Sequence, residues 1–129
     1  MRLILPLPPT QNHSHLNVQK GKRLMRIRTE ITRKYMNDAY WLAKDWANKT
    51  GWRVPDKQAK IIFRYWVWFQ DHRRRDASNI VKVLADSLQG ALYEDDKMLI
   101  VQNMDFAVDK TNPRVEVELE VVAREERAK

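Results

Sequence analysis

Arg73-Arg74-Arg75-Asp76-Ala77-Ser78-Asn79, followed by Lys82, Asp86 and Asp95-Asp96, sets cations beside carboxylates in one short stretch. Arginine carries a permanently charged planar fork that matches phosphate. Carboxylates suit hard divalent cations, and Mg²⁺ keeps several waters, so it asks for few protein oxygens. Hydrolysis of a phosphodiester needs both: neutralised phosphate charge, a nucleophilic water and a stabilised leaving oxygen. By residue type, Asp76, Asp95 and Asp96 are the candidate ligands for Mg²⁺ or Mn²⁺. Lys82 would bind the scissile phosphate or polarise the attacking water, and Asn79 would orient either. Arg73, Arg74 and Arg75 are candidate DNA contacts. The bland reading of Glu94-Asp95-Asp96-Lys97 is an acidic turn, since such residues are ordinary turn formers.

The helix that follows Asp76 must present this chemistry. On a wheel of about 100° per residue, Lys82 and Asp86 fall within about 60° of Asn79. Ile80, Val81, Leu84 and Leu88 centre on the opposite side, which predicts a helix over 79–89 with a buried face and an Asn-Lys-Asp stripe. The stripe is a solvated face or a working one; its place directly after three arginines favours work. Asp86 either serves the site or simply pairs with Lys82 at i,i+4.

The remaining elements follow from period and punctuation. Arg2–Leu7 is a short strand candidate stopped by Pro8-Pro9. Residues 10–28 show no clear period and read as a long basic loop carrying Lys20, Lys22, Arg23, Arg26 and Arg28, candidate DNA contacts. Thr29 is the expected N-cap of a first helix that ends before Gly51. Its expected buried stripe is Ile31, Tyr35, Leu42 and Trp46, with Ala39 beside it. Ile61–Phe69 is apolar on both faces and should be a central strand, or one whose outer face meets a helix or a second subunit. Trp66 and Trp68 are the candidates for that subunit contact. Leu99–Val108 is a third long strand, 109–113 a hairpin loop, and Val115, Val117, Leu119 and Val121 alternate with glutamates in a fourth. The order β-α-β-α-β-β predicts an α+β fold: a small mixed sheet with helices packed on it.

At 129 residues the chain is expected to be one domain, 1–123, with a charged tail over 124–129. The formal charge of +7 points to an anionic partner, nucleic acid or membrane surface. No segment is apolar and long enough to span a bilayer and no signal-peptide pattern is present, so a cytoplasmic protein is expected, with no membrane partner. The absence of cysteine excludes disulfides, thiolate zinc sites and cysteine nucleophiles. His13 and His15 share a loop but, with His72, lack zinc-ligand spacing.

Three segments together resemble the RusA family of Holliday junction resolvases, small endonucleases associated with phages and prophages. Leu5-Pro6-Leu7-Pro8-Pro9-Thr10-Gln11-Asn12 is similar to the family's opening strand and Pro-Pro-Ser/Thr-x-Asn segment. Arg74-Arg75-Asp76-x-x-Asn79-x-x-Lys82 is similar to its central motif, with Asp86 where the family commonly keeps an acid. Tyr93-Glu94-Asp95-Asp96 is similar to its second acidic motif. The resemblance implies a homodimer that binds four-way or branched DNA and cuts strands of like polarity with Mg²⁺, in recombination and repair. It implies that Asp76 and Asp96 bind metal and act in catalysis, that Asp95 shares the metal, and that Lys82 is catalytic. One position departs: the pattern often reads Asp-x-Asp-Asn, and here the middle carboxylate is Ser78. Either Asp86 or Asp95 supplies the missing charge, or metal affinity falls, or the chain binds branched DNA with little or no cutting. Ser78 would otherwise serve as N-cap of the second helix.

Overall fold

The computed structural model describes residues 1–9, 15–20, 23–72 and 77–122, and only the backbone of 15–20, 23–28, 78 and 79. Four strands form a mixed sheet: β1 (Leu3–Leu5), β4 (Lys60–Phe69), β5 (Leu99–Val108) and β6 (Arg114–Val122), in the order β1-β6-β4-β5. Two helices, α1 (Glu30–Thr50) and α2 (Val81–Leu88), pack on it. The fold is α+β, and the expected order β-α-β-α-β-β is that of the sheet and its helices.

One element was not expected. Residues read as a long basic loop contain a two-stranded antiparallel ribbon, β2 (His15–Lys20) and β3 (Arg23–Arg28). The register pairs Leu16 with Ile27 and Val18 with Met25. That period-2 spacing around a Gly21-Lys22 link is the signal of a tight hairpin. The density of polar residues hid it.

β4 is the central strand, as its two apolar faces require. Ile61, Phe63, Tyr65, Val67 and Phe69 are buried toward the helices. The outer face carries Trp66 and Trp68, each half-buried beneath an arginine. The Arg2 guanidinium lies 3.6 Å from the Trp66 ring centre and that of Arg114 4.0 Å from Trp68. The β6 glutamates complete this layer: Glu116 binds Arg2 at 3.3 Å and Arg114 at 2.8 Å, and Arg64 binds Glu120 at 2.8 Å.

The last two strands correct a second expectation. β5 and β6 are not hairpin partners; β4 lies between them, parallel to β5 and antiparallel to β6. The connection 109–113 therefore crosses the end of β4, a span of about 10 Å that five residues cover easily. Asp109 organises the crossing. Its amide donates to the Phe69 carbonyl at 2.8 Å. Its carboxylate accepts from the Thr111 hydroxyl and from the Thr111 and Asn112 amides, and binds Arg114.

α1 begins and ends as expected: Thr29 accepts from the Thr32 amide, and Gly51 takes the left-handed conformation at φ 78°. Its buried stripe differs. Thr32, Tyr35, Ala39 and Ala43 face the core, while Ile31 and Leu42 are exposed and Trp41 is 62% exposed. Small side chains let α1 approach α2 and the sheet closely, and Tyr35 donates to the Pro6 carbonyl at 2.8 Å. The larger residues were displaced to the flanks.

Candidate active site

α2 carries the first half of the site. A 3₁₀ turn, Ala77–Ile80, leads into it, so the regular helix starts at Val81 and not at Asn79. Ile80 occupies the N-cap position without a side-chain cap, and Ser78 lies inside the 3₁₀ turn, which removes the capping role considered for it. Ile80, Val83, Leu84 and Leu88 are buried. Lys82 and Asp86 emerge on the other side, with Lys82 Nζ 4.0 Å from Asp86 Oδ2.

The second half is the acidic loop before β5. Gly90, at φ 90°, turns the chain directly after α2. Its amide donates to the Tyr93 carbonyl at 2.7 Å, and the Ala91 and Leu92 amides return to Leu88. Tyr93 is fully buried, and its hydroxyl donates to the Ala85 carbonyl at 2.6 Å. Trp52 Nε1 holds the same loop through the Leu92 carbonyl at 2.9 Å. These bonds fold the loop back on α2, so Asp95 and Asp96 arrive beside Asp86.

The Asp96 side chain lies within interaction range of both Asp95 and Asp86. Burial, the bond to Asp95 and the charges of Asp86 and Asp95 push the Asp96 carboxyl above the usual carboxylate range. Asp95 moves the other way. It caps the 3₁₀ turn Asp96–Met98, and the Lys97 amide at 2.9 Å stabilises its charged form. Of the two, Asp96 is therefore the carboxyl that takes up a proton first as pH falls. Burial, then the Asp96 and Asp86 charges, raise the Tyr93 phenol well above its ordinary value, so it stays a neutral donor.

The donors suit a hard divalent cation in kind: all are carboxylate oxygens, close enough that their charges raise the Asp96 carboxyl. They do not converge as a finished cage, since no group of three or more acids or histidines among the described residues is placed to hold a metal. Asp76, the expected further ligand, lies outside the described residues, as do Arg73, Arg74, Arg75 and Lys22. Lys20, Arg23, Arg26 and Arg28 lie on the ribbon, and Asn79 in the 3₁₀ turn, each described by backbone alone.

A cleft of about 700 Å³ opens beside Asp95, lined in part by Lys57, Lys60, Glu94 and Lys97. Its lysines were not among the expected DNA contacts. They are scattered in sequence, and only the pairing of Ile61 with Leu99 brings 57–60 alongside 94–97.

A family model for endodeoxyribonuclease RusA matches residues 6–120. The chain belongs to that family. The match spans β2 through α2, the acidic loop and most of β6. Among the curated proteins compared, none matches the chain. Membership of the RusA family makes the chain an endodeoxyribonuclease in class. No helix among the described residues is long and apolar enough to cross a membrane.

Proposed function

We propose that this RusA-family chain is a Mg²⁺-dependent, structure-selective endonuclease that resolves four-way DNA junctions as a homodimer, in recombination and repair. The observation that carries the reading is the clustering of Asp86, Asp95 and Asp96, whose mutual charge raises the Asp96 carboxyl, with Lys82 one helical turn from Asp86. A solvated acidic turn has no reason to be folded onto a second carboxylate at the cost of mutual repulsion.

Asp76 and Asp96 would hold Mg²⁺ or Mn²⁺, with Asp86 and Asp95 contributing. Once bound, the ion neutralises phosphate charge and supplies a nucleophilic water. Lys82, 59% exposed and tethered by Asp86, binds the scissile phosphate. Asp86 takes the place of the carboxylate that Ser78 lacks, because the fold brings it to Asp96. The cleft lysines and the basic ribbon hold the flanking strands. The family's substrate class and the location of the excess cations support branched DNA over other polyanions.

The test is cleavage of a synthetic four-way junction with and without Mg²⁺. Wild type should cut only with the ion. Asp76→Asn should lose cutting by 10²-fold or more while binding as tightly or more tightly, because it removes a ligand and a negative charge. Ser78→Asp should cut little faster than wild type if Asp86 already supplies the charge. Wild type that binds the junction well yet never cuts would replace this reading with that of a branched-DNA-binding protein.

A further inference from the structure

The cleft beside Asp95 holds more than lysines. Its lining also includes Gln58, Ala59 and Met98. Asp95 belongs both to this wall and to the carboxylate cluster with Asp86 and Asp96. The cleft is therefore where a strand held at the carboxylates continues. Its volume, about 700 Å³, lies within the range of sites that enclose a small molecule. That is room for a nucleotide drawn out of its helix, and not for a duplex, whose major groove alone is about 12 Å wide.

Each part of the lining suits one part of a nucleotide. Lys57, Lys60 and Lys97 share the cleft with Glu94 and Asp95, three cations against two anions. The Lys57 ammonium is 82% exposed and 3.9 Å from the Glu94 carboxylate, a loose pair that yields to a phosphate. The buried Met98 and the half-buried Ala59 supply the apolar part. A thioether packs favourably against an aromatic ring, and a base provides one.

Gln58 is the residue that phosphate binding does not need. It stands on a tight turn: the Asp56 carboxylate accepts from the Gln58 amide at 2.9 Å, and the Asp56 carbonyl accepts from the Ala59 amide at 2.9 Å. The turn fixes the backbone beneath an exposed side chain. Among the described residues the Gln58 carboxamide has no hydrogen-bond partner. A carboxamide offers a donor and an acceptor side by side, the pattern that reads a base edge.

We propose that the cleft is a nucleotide subsite. It takes one unpaired nucleotide of the cut strand, next to the scissile phosphate. The lysines hold its phosphate, Met98 meets the base, and Gln58 reads the base edge. A branch point favours such capture, because a base already released from pairing is the least costly to extrude. Gln58 thus makes cutting depend on the base beside the crossover. That dependence rests on the nuclease reading; occupancy of the cleft rests on DNA binding alone.

A junction library with all four bases at each position flanking the crossover, cut with Mg²⁺, measures the preference. Wild type should discriminate at one position. Gln58→Ala should narrow the spread between the fastest and slowest base there by about five-fold or more. A wild type without preference, a spread left unchanged, or slowing by one factor for every base overturns the role of Gln58. Occupancy is read without metal, at saturating junction. The chain has no cysteine, so Gln58→Cys with a photoreactive group on its sulfur reports alone. It should cross-link to one or two nucleotides beside the crossover. Adding Lys57→Gln and Lys97→Gln to that chain should lower the yield by about five-fold or more. Cross-links spread along the duplex arms, or a yield indifferent to both glutamines, overturn the subsite. A focused cross-link to a junction that is never cut keeps the subsite and removes the nuclease reading; cutting without a focused cross-link does the reverse.

Discussion

Asp96 concentrates the conflict between stability and function in a single carboxyl. Burial and two acidic neighbours raise its affinity for a proton, while the Lys97 amide favours the ionised form of Asp95. Divergent environments for adjacent carboxyls are a mark of working sites. The sign of the stability effect follows. A carboxyl raised in the folded state binds its proton over the range between the ordinary value, near 3.9, and the raised one. Unfolding releases that proton, so stability falls as pH rises through this range, and at pH 7 the ionised Asp96 costs stability. Asp96→Asn should therefore raise Tm at pH 7, and the gain should fade as pH falls through the raised value and be gone below about 4. Mg²⁺ should raise the Tm of wild type and not of the variant, and the variant should not cut. Calorimetry across pH checks this; an unchanged or lower Tm at pH 7 would show that the carboxyl is not under strain.

At the scale of elements, the site depends on one joint, between α2 and the acidic loop. Tyr93 is its pin: the ring is buried 6.5 Å from the Phe63 ring in edge contact, and the hydroxyl satisfies the Ala85 carbonyl. Tyr93→Phe keeps the ring and orphans a buried carbonyl, which costs about 1–3 kcal/mol. Chemical denaturation should show that loss. Cleavage measured where the variant remains folded should fall several-fold, because Asp96 is freed to drift from Asp86; full activity would mean the joint is positioned by Trp52 and Gly90 alone. This joint was half legible in the sequence. The Asn79-Lys82-Asp86 stripe and the Asp95-Asp96 pair stand out by type and spacing. Their meeting does not, because it depends on how five residues after Leu88 return on themselves. The same division runs through the fold. Local chemistry marked α1 at Thr29 and Gly51 and alternation marked β4 and β6. The insertion of β4 between β5 and β6, and the choice of Ala39 and Ala43 over Ile31 and Leu42, arise from packing between distant segments.

At the scale of the whole molecule, charge is divided more sharply than a total of +7 conveys. Lys20, Lys22, Arg23, Arg26, Arg28, Arg73, Arg74 and Arg75, less Asp76, account for the entire excess; elsewhere sixteen cations face sixteen anions. On the outer face of the sheet the balance is visible as direct pairs of Arg2, Arg64 and Arg114 with glutamates. These pairs cancel charge locally and leave that face with little field to attract DNA. Two segments must then supply most of the polyelectrolyte attraction, and five of the eight cations lie in or between the strands of the ribbon. Each phosphate neutralised contributes about 0.9 to the slope of log K against log salt on duplex DNA. Replacing the five ribbon cations with glutamine should reduce that slope by up to about 4.5. The remaining slope should belong chiefly to Arg73–Arg75 and the cleft lysines. Cutting at saturating DNA should change far less, since none of the five belongs to the carboxylate site. Salt titration of junction binding decides it: a slope unchanged within error would move the DNA path off the ribbon, and a lost rate at saturation would place the ribbon in the chemistry.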